Sequence, residues 1–366
     1  MRIKNSIILL MIVLLGTSCE RTLDFVTGDE GMGNMTIGAI AVTGSPLTVY
    51  INQAISVDKA QLAEYIGIGE DRIRYMQAGE SIDYMQDTYF KKSAVKDAQV
   101  SAEVNGQQTY TLTFDESSYG YTCDYVPKEG DRIVVKAAAG GQELHSETVV
   151  PQKPKIEILS HEVLAENPYR EVEGYMFRTD TIMRITCRII KQQGQQYYRL
   201  RVRSERDVHG ISGYIGEDGK PVFVEKNYYA YQMQDVYFSD DEIFVDKRLT
   251  RGFGGWKPYF SNVFDDSLVS TGGYTFTVDS PKMPRILSGV MSSASNSQNT
   301  PLPPQVMIEL QTISPELYNY LKSVELYHLT YNDAYAEPVQ IYSNVQNGWG
   351  IFGALSYERH FVEFGE

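Results

Sequence analysis

The chain has 366 residues, a formal net charge of −14 and 27 tyrosines. An acidic surface repels nucleic acid and anionic headgroups, so the composition argues against nucleic-acid binding. The length exceeds what one hydrophobic core usually serves, which predicts two domains. Tyrosine is common in strands and at binding surfaces, so its abundance favours a β-rich protein.

The first 19 residues have the pattern of a bacterial lipoprotein signal. Two cations, Arg2 and Lys4, precede an apolar run at residues 7–15, and small residues then lead to Cys19. We predict that residues 1–18 are removed and that Cys19 is acylated. This removes two cations and no acid, which changes the formal charge from −14 to −16. A secretory signal with a chance cysteine is the alternative.

The apolar run is shorter than the span of about 20 residues that crosses a bilayer as a helix. No later run in the sequence approaches that length. We therefore expect lipid on Cys19 to hold the protein at the outer membrane. Glu20 is a weak acidic export tag, so display on the cell surface is favoured over a periplasm-facing position.

A polar, glycine-rich tether is predicted over residues 19–33, followed by an N-terminal β-sandwich over residues 34–152. Apolar residues alternate with polar ones in many short runs, which indicates strands. Asn105-Gly106 is a favoured hairpin turn. Short strands separated by turns are typical of immunoglobulin-like or fibronectin-like sandwiches. Residues 58–92 give no clear pattern.

A proline-rich linker at residues 151–154 marks the predicted domain boundary. Residues 155–366 form the predicted C-terminal β-rich domain. One helix is expected near its end, because Ser314 is a good N-cap and Pro315 suits the first helical position. A buried apolar stripe should begin at Leu317 and continue to Tyr327. The predicted fold class is all-β: two tandem β-sandwich domains, the second with one amphipathic helix.

The loop at residues 251–260 is the strongest candidate for ligand binding. Phe253, Trp256 and Tyr259 lie among glycines that free the backbone. Aromatic rings of this kind can stack on glycan rings or peptide side chains. The alternative is a loop that folds back over its own sandwich.

Two other groups of charged residues are candidate sites. Arg199, Arg201 and Arg203 share one face of a predicted strand, which allows an anion site, although a solvated strand face is favoured. The pairs Asp240–Asp241 and Asp265–Asp266 could bind calcium or serve as glycosidase carboxylates. Ordinary solvated loops are again the simpler interpretation.

No catalytic motif is present in the sequence. The five histidines are scattered, and neither HExxH nor GxSxG occurs. We therefore predict a protein that is not an enzyme and has neither a cofactor nor a metal ion. Cys123 and Cys187 are predicted to be free buried thiols, although an oxidising periplasm would permit a disulfide.

The segment at residues 337–354, which contains Asn347-Gly348-Trp349-Gly350, resembles the C-terminal signature of domain-of-unknown-function family 4249. Residues 45–49, 95–100, 238–240 and 314–318 resemble other landmarks of that family. The resemblance implies a Gram-negative envelope lipoprotein near a TonB-dependent transporter and its capture lipoprotein. It implies no known reaction. We interpret the signature as a structural motif, because its glycines permit close backbone approach.

The sequence therefore predicts an accessory component of a nutrient-uptake system, which binds a glycan or peptide ligand or docks on a transporter. The alternative is a structural or adhesive module of the cell surface.

Overall fold

The computed structural model describes ten stretches of the chain. These are residues 35–53, 91–164, 170–172, 175–177, 182–215, 221–234, 241–250, 258–281, 303–330 and 339–364. The predictions for the signal segment, Cys19, the tether and almost all of residues 58–92 lie outside them. Met35–Asn52 and Ala94–Glu366 form one compact unit. A second unit, Met1–Asn34 with Gln53–Ser93, falls almost wholly outside the described residues.

The described residues form nineteen strands and one helix of more than two turns. The strands are β1 (Met35–Val42), β2 (Thr48–Gln53), β3 (Gln99–Val104), β4 (Gln108–Asp115), β5 (Gly120–Thr122), β6 (Arg132–Ala139), β7 (Gln142–Val149), β8 (Ile156–Leu164), β9 (Arg170–Val172), β10 (Tyr175–Phe177), β11 (Ile182–Ile189), β12 (Tyr197–Ile215), β13 (Pro221–Gln234), β14 (Val245–Thr250), β15 (Pro258–Phe260), β16 (Val263–Asp265), β17 (Tyr274–Pro281), β18 (Gln305–Ile313) and β19 (Trp349–Glu363). The helix is α1 (Pro315–Thr330). The predicted all-β class with a C-terminal helix is confirmed.

One continuous sheet runs through both halves of the chain. Its strand order is β13-β12-β18-β19-β1-β2-β5-β4-β3-β6-β7, and β16 pairs with β12 beside it. A separate three-stranded sheet has the order β17-β11-β8. Between β3 and β4, Asn105 and Gly106 both have positive φ, as the predicted hairpin turn requires.

The first hydrophobic core is formed mainly by side chains from the strands in the N-terminal half of the chain. Alternate residues of β1 and β2 point into it, among them Ile37, Ala39 and Val49. Val345, Phe352 and Ala354 from the end of the chain complete it. The strands β1 and β2 therefore share a core with side chains that lie some three hundred residues later in the sequence.

The second core lies between the three-stranded sheet and the inner face of β12, β18 and the end of β19. Alternate residues of each strand fill it, for example Ile185 of β11 and Leu200 of β12. Phe244 packs edge-to-face against Phe264 and Phe276, with ring centroids 5.4 Å apart in both pairs. This arrangement of two sheets about one apolar layer is a β-sandwich.

The last strand, β19, belongs to both cores. It runs parallel to β1, with Thr36 opposite Trp349, and antiparallel to β18, with Gln305 opposite Glu363. It also holds the predicted linker, because Ser356 Oγ donates to the Pro151 carbonyl at 2.7 Å. The predicted boundary at residues 151–154 stays a prediction, although β19 pairs with strands from both sides of it.

Helix α1 begins where the sequence predicts. Ser314 Oγ accepts hydrogen bonds from the backbone N–H of Leu317 at 3.4 Å and of Ala354 at 3.1 Å. Burial is concentrated in the first turn, at Leu317 and Tyr318, whereas Tyr327 is exposed. The prediction of one buried stripe along the helix is therefore wrong beyond the first turns, because only the start of α1 packs fully on the sheet.

The two cysteines of the described residues are free thiols. Cys187 is buried in the second core, and burial raises its pKa to about 12. Cys123 packs at the margin of the first core and is only half buried, and burial also raises its pKa. The prediction of free thiols is confirmed, although Cys123 is more accessible than expected.

One asparagine and two glycines of the C-terminal signature have structural roles. Asn344 Nδ2 donates to the carbonyls of Glu147 at 3.1 Å and Phe352 at 2.8 Å, and its Oδ1 accepts the Phe352 N–H at 3.0 Å. Gly350 has φ of 115°, and a Cβ there would collide with the Ile37 carbonyl oxygen. A Cβ at Gly353 would approach Leu317 of α1 to 2.7 Å.

We expect Gly350→Ala to lower the free energy of unfolding by about 3 kcal/mol or more, because it adds a backbone collision to a strained φ. Gly44→Ala is the matched control. Gly44 also has positive φ, at 83°, but no atom lies within 4 Å of its would-be Cβ. This control should cost about 1 kcal/mol. Urea denaturation measures both, and equal losses would contradict the close approach of β19 to β1.

We also expect the isolated segment 34–152 to lack cooperative unfolding. Without β19, the edge of β1 is unpaired and Phe352 is missing from the first core. Removal of a large aromatic side chain from a core costs about 3–5 kcal/mol of stability. Adding a peptide of residues 339–364 should restore a cooperative transition in circular dichroism. A sharp transition of the fragment alone would show that it folds independently.

Candidate functional site

Most of the predicted aromatic loop lies outside the described residues. Phe253 and Trp256 lie outside the described residues. Tyr259 lies on β15, where its backbone is opposite Asp246 of β14. Its side chain is outside the described part. The binding site at these three residues therefore stays a prediction.

The acidic pairs have structural partners. Asp241 caps the 3₁₀ turn Glu242–Phe244 and accepts a hydrogen bond from Tyr274 Oη at 2.5 Å. Asp265 accepts the Ser267 N–H at 3.0 Å, and the buried Asp266 forms a 2.5 Å salt bridge with Lys191. Within the described ranges no three potential ligands lie together in a way that would hold a metal ion. Asp240 falls outside those ranges.

A layer of charged side chains covers the outer face of the sheet formed by β12, β18 and β19. The residues of these strands that are not in the second core face the other way, and they align in rows across the sheet. We call this set the polar layer. It consists of Arg199, Arg201, Arg203, Glu205, Gln305, Glu309, Gln311 and Arg359.

Glu309 lies at the centre of the polar layer and its side chain is 2% exposed. Its Oε1 accepts hydrogen bonds from Gln311 Nε2 at 2.7 Å and from Arg201 Nη1 at 3.4 Å. Its Oε2 accepts Arg359 Nε at 2.8 Å and also Arg359 Nη2. Burial alone would lower the pKa of Arg359, but the hydrogen bonds to Glu309 outweigh it and raise that pKa. A buried carboxylate is tolerated here because its oxygens are fully bonded.

A second ion pair lies further along the same face. Arg203 Nε donates to the Glu205 carboxylate at 2.7 Å. Glu205 is buried, and its other oxygen accepts Gln305 Nε2 at 2.7 Å. The charges of Arg203 and Glu205 therefore balance each other.

The helix adds a third polar group at the edge of β16. Ser261 Oγ lies 2.7 Å from Lys322 Nζ and within 2.9 Å of both Glu325 oxygens. It borders a cavity of about 310 Å³. A serine beside a lysine is one arrangement of an activated nucleophile. Here Lys322 forms a 3.0 Å salt bridge with Glu325, and Ser261 Oγ also accepts the Val263 N–H. The serine and the lysine are therefore part of a structural hydrogen-bond network.

Two arginines of the polar layer have a buried Nε. The Nε groups of Arg199 and Arg201 donate to no described residue, and the buried Oε1 of Gln311 accepts from none. Burial, and then the charge of Arg201, lowers the pKa of Arg199, while Glu309 and Glu325 act in the opposite direction. The strand face that was expected to be solvated is half-buried, with the side chains of Arg201 and Arg203 35% and 22% exposed. Neighbouring strands and α1 enclose a face that the sequence shows only as alternating polar residues.

Two exposed aromatic side chains on β19 were not identified from the sequence. Phe361 is 51% exposed and lies next to Arg359 on the outer face. Trp349, within the signature motif, is 48% exposed and lies opposite Thr36. The period of two along β19 could have revealed both, because it places Phe361 on the face away from the buried Val362.

No helix in the described residues is both long and apolar enough to cross a membrane.

Comparison with known proteins gave one family and one distant structure. No curated protein matches the chain. A crystal structure of a protein from Corynebacterium diphtheriae, described as membrane anchored, shows 11% identity over 77% of this chain with a TM-score of 0.17, and the match spans 54% of that structure's own length. So low a score supports no argument about function. The family model for a domain of unknown function, DUF4249, matches residues 72–360. This range includes most of the strands described above and the C-terminal signature, and the chain belongs to the DUF4249 family.

Proposed function

We propose that the protein is an outer-membrane lipoprotein that serves a TonB-dependent nutrient-uptake system as an accessory component. Cys19 carries the lipid, and the protein binds a ligand or docks on the transporter and its capture lipoprotein. The role requires no catalysis. The lipoprotein signal that ends at Cys19 is the observation that carries this proposal.

A structural or adhesive module is the second candidate. The exposed Trp349 and the exposed residues Leu159 and Val163 on β8 favour it, because such side chains can pair with another protein. The two roles differ in their response to soluble ligands, since only a ligand-binding protein gains stability from them.

Cys19→Ala should move the protein from the membrane fraction to the soluble fraction, because no acyl chains then hold it. Metabolic labelling with palmitate should be lost together with membrane association. Cys123→Ala is the control, and it should keep both. A Cys19→Ala protein that stays labelled and membrane-bound would exclude the lipoprotein assignment.

The uptake role predicts co-purification with a transporter. Native protein extracted in mild detergent and crosslinked should enrich a TonB-dependent transporter and its capture lipoprotein, identified by mass spectrometry. The Cys19→Ala protein should not, because it is not held at the same membrane. Enrichment of surface-assembly proteins in place of a transporter would favour the structural or adhesive role.

A further inference from the structure

We propose that the cavity between α1 and β16 binds a primary ammonium group attached to a small apolar body, which is the chemistry of a peptide's first residue when its side chain is apolar. Asp265 binds the ammonium group, and the buried side chains at the floor of the cavity contact the apolar body. The inference rests on the proposed ligand-binding role and specifies its ligand, but it depends on neither the membrane anchor nor the transporter.

The cavity has the size of a small-ligand site and lies at the surface. Its volume of about 310 Å³ is at the lower end of the range of about 300–1,000 Å³ that is usual for ligand pockets. Two of the residues that line it, Ser267 and Leu268, are exposed, and Leu268 is 41% exposed. A ligand can therefore enter from solvent.

The floor of the cavity is apolar. It is formed by Ile243 and Phe244 of the 3₁₀ turn and by Val263 and Phe264 of β16, all of which are buried. These side chains also pack into the neighbouring cores, so their positions do not depend on a ligand. Leu268 adds an exposed apolar side chain at the rim. An aliphatic or aromatic group of a ligand would lose its contact with water against these side chains.

The charge around the cavity favours a cation. Two carboxylates, Glu242 and Asp265, line it together with one amine, Lys322. Lys322 is neutralised by Glu325, with which it forms a 3.0 Å salt bridge. Negative charge therefore exceeds positive charge among the described side chains at this cavity.

Asp265 is the carboxylate that is available to a ligand. It is half-buried, accepts the Ser267 N–H at 3.0 Å and forms no salt bridge within the described chain. The adjacent Asp266 is already paired with Lys191 at 2.5 Å. A partly buried carboxylate interacts more strongly with an ammonium group than one in bulk water, because the surrounding dielectric is lower.

The cavity also lies next to the loop that the sequence predicts as a binding site. Val245 and Ser261 line the cavity, and they stand at the two ends of the hairpin formed by β14 and β15, where Val245 is opposite Phe260. The predicted loop at residues 251–260 belongs to this hairpin. The cavity is therefore at the base of the hairpin that carries the loop.

Binding of leucine amide to the purified protein tests the site, because this probe has an ammonium group and an apolar side chain but no carboxylate. Calorimetry and the shift in melting temperature are measured at about pH 6.5, below the usual α-amino pKa of about 7.7–8.0. We expect saturable binding that weakens as sodium chloride increases. N-acetyl-leucine amide, which lacks the charge, and glycine amide, which lacks the side chain, should each bind at least tenfold more weakly.

Asp265→Asn should reduce the affinity for leucine amide at least tenfold and leave the melting temperature nearly unchanged, because the amide oxygen can still accept the Ser267 N–H. Asp115→Asn is the matched control. Asp115 accepts the Ser117 N–H at 3.1 Å in the same kind of Asp-x-Ser turn, and it does not line the cavity. The control should keep full affinity.

Leu268→Ala tests the apolar part of the site, and it decides the question if Asp265→Asn does not fold. The exposed side chain can be truncated without loss of core packing, and the lost apolar contact should weaken leucine amide binding about threefold. Leu159→Ala is its control, because Leu159 is 46% exposed on β8 and does not line the cavity. It should bind leucine amide as the wild-type protein does.

The inference is overturned if leucine amide does not bind, if N-acetyl-leucine amide or glycine amide binds equally well, or if the folded Asp265→Asn or Leu268→Ala protein keeps full affinity. Each of these results leaves the anchoring at Cys19 and the transporter role intact. Conversely, a protein that binds leucine amide but is not held at the membrane refutes the proposed function and leaves this site.

Discussion

The pairing of β19 with both β1 and β18 is the constraint on which the rest of the structure depends. Parallel pairing with β1 brings the two ends of the described chain together, and antiparallel pairing with β18 extends the same strand into the second sandwich. Because both ladders use one strand, the two cores cannot form their final edges before the end of the chain is in place. Backbone hydrogen bonds of such high sequence separation are costly in entropy, and burial of Phe352 and Val362 offsets that cost.

The same strand fixes the segments around it. The His145 and Gln346 backbones exchange hydrogen bonds, which ties β7 to the entry of β19. On the other side, Ile156 N donates to Glu358 Oε2 at 3.1 Å, which holds the start of β8. The stretch between the two halves of the chain is therefore fixed at both ends by contacts to β19, and glycines at positions 348, 350 and 353 make room for these contacts.

The polar layer is a consequence of this architecture. The inner faces of β12 and β18 fill the second core, so their alternate residues must face outward, and α1 then covers one end of that outer face. Glutamates that would be solvated on an open sheet become buried there, and the arginines become partly buried. Glu309 tolerates this because four donors reach its two oxygens, whereas the buried Nε of Arg199 donates to no described residue.

The sequence by itself determined the properties that depend on near neighbours in the chain. Alternation predicted the strands, Asn105-Gly106 predicted a hairpin, and Ser314-Pro315 predicted the start of α1, because each acts within a few residues. The signature motif identified the family and the close approach of its glycines.

Only the tertiary structure decided which strands meet and which outward faces are covered. Nothing local to β19 specifies β1 as its partner, and nothing local to β12 distinguishes a solvated arginine from a buried one. Alternation gives the two faces of a strand, but the environment of the outer face is set by α1 and by neighbouring strands far along the chain. Arg199 is therefore an ordinary polar residue in the sequence and a half-buried one in the fold, with its Nε shielded from solvent, because burial is a property of the packed elements and not of the strand.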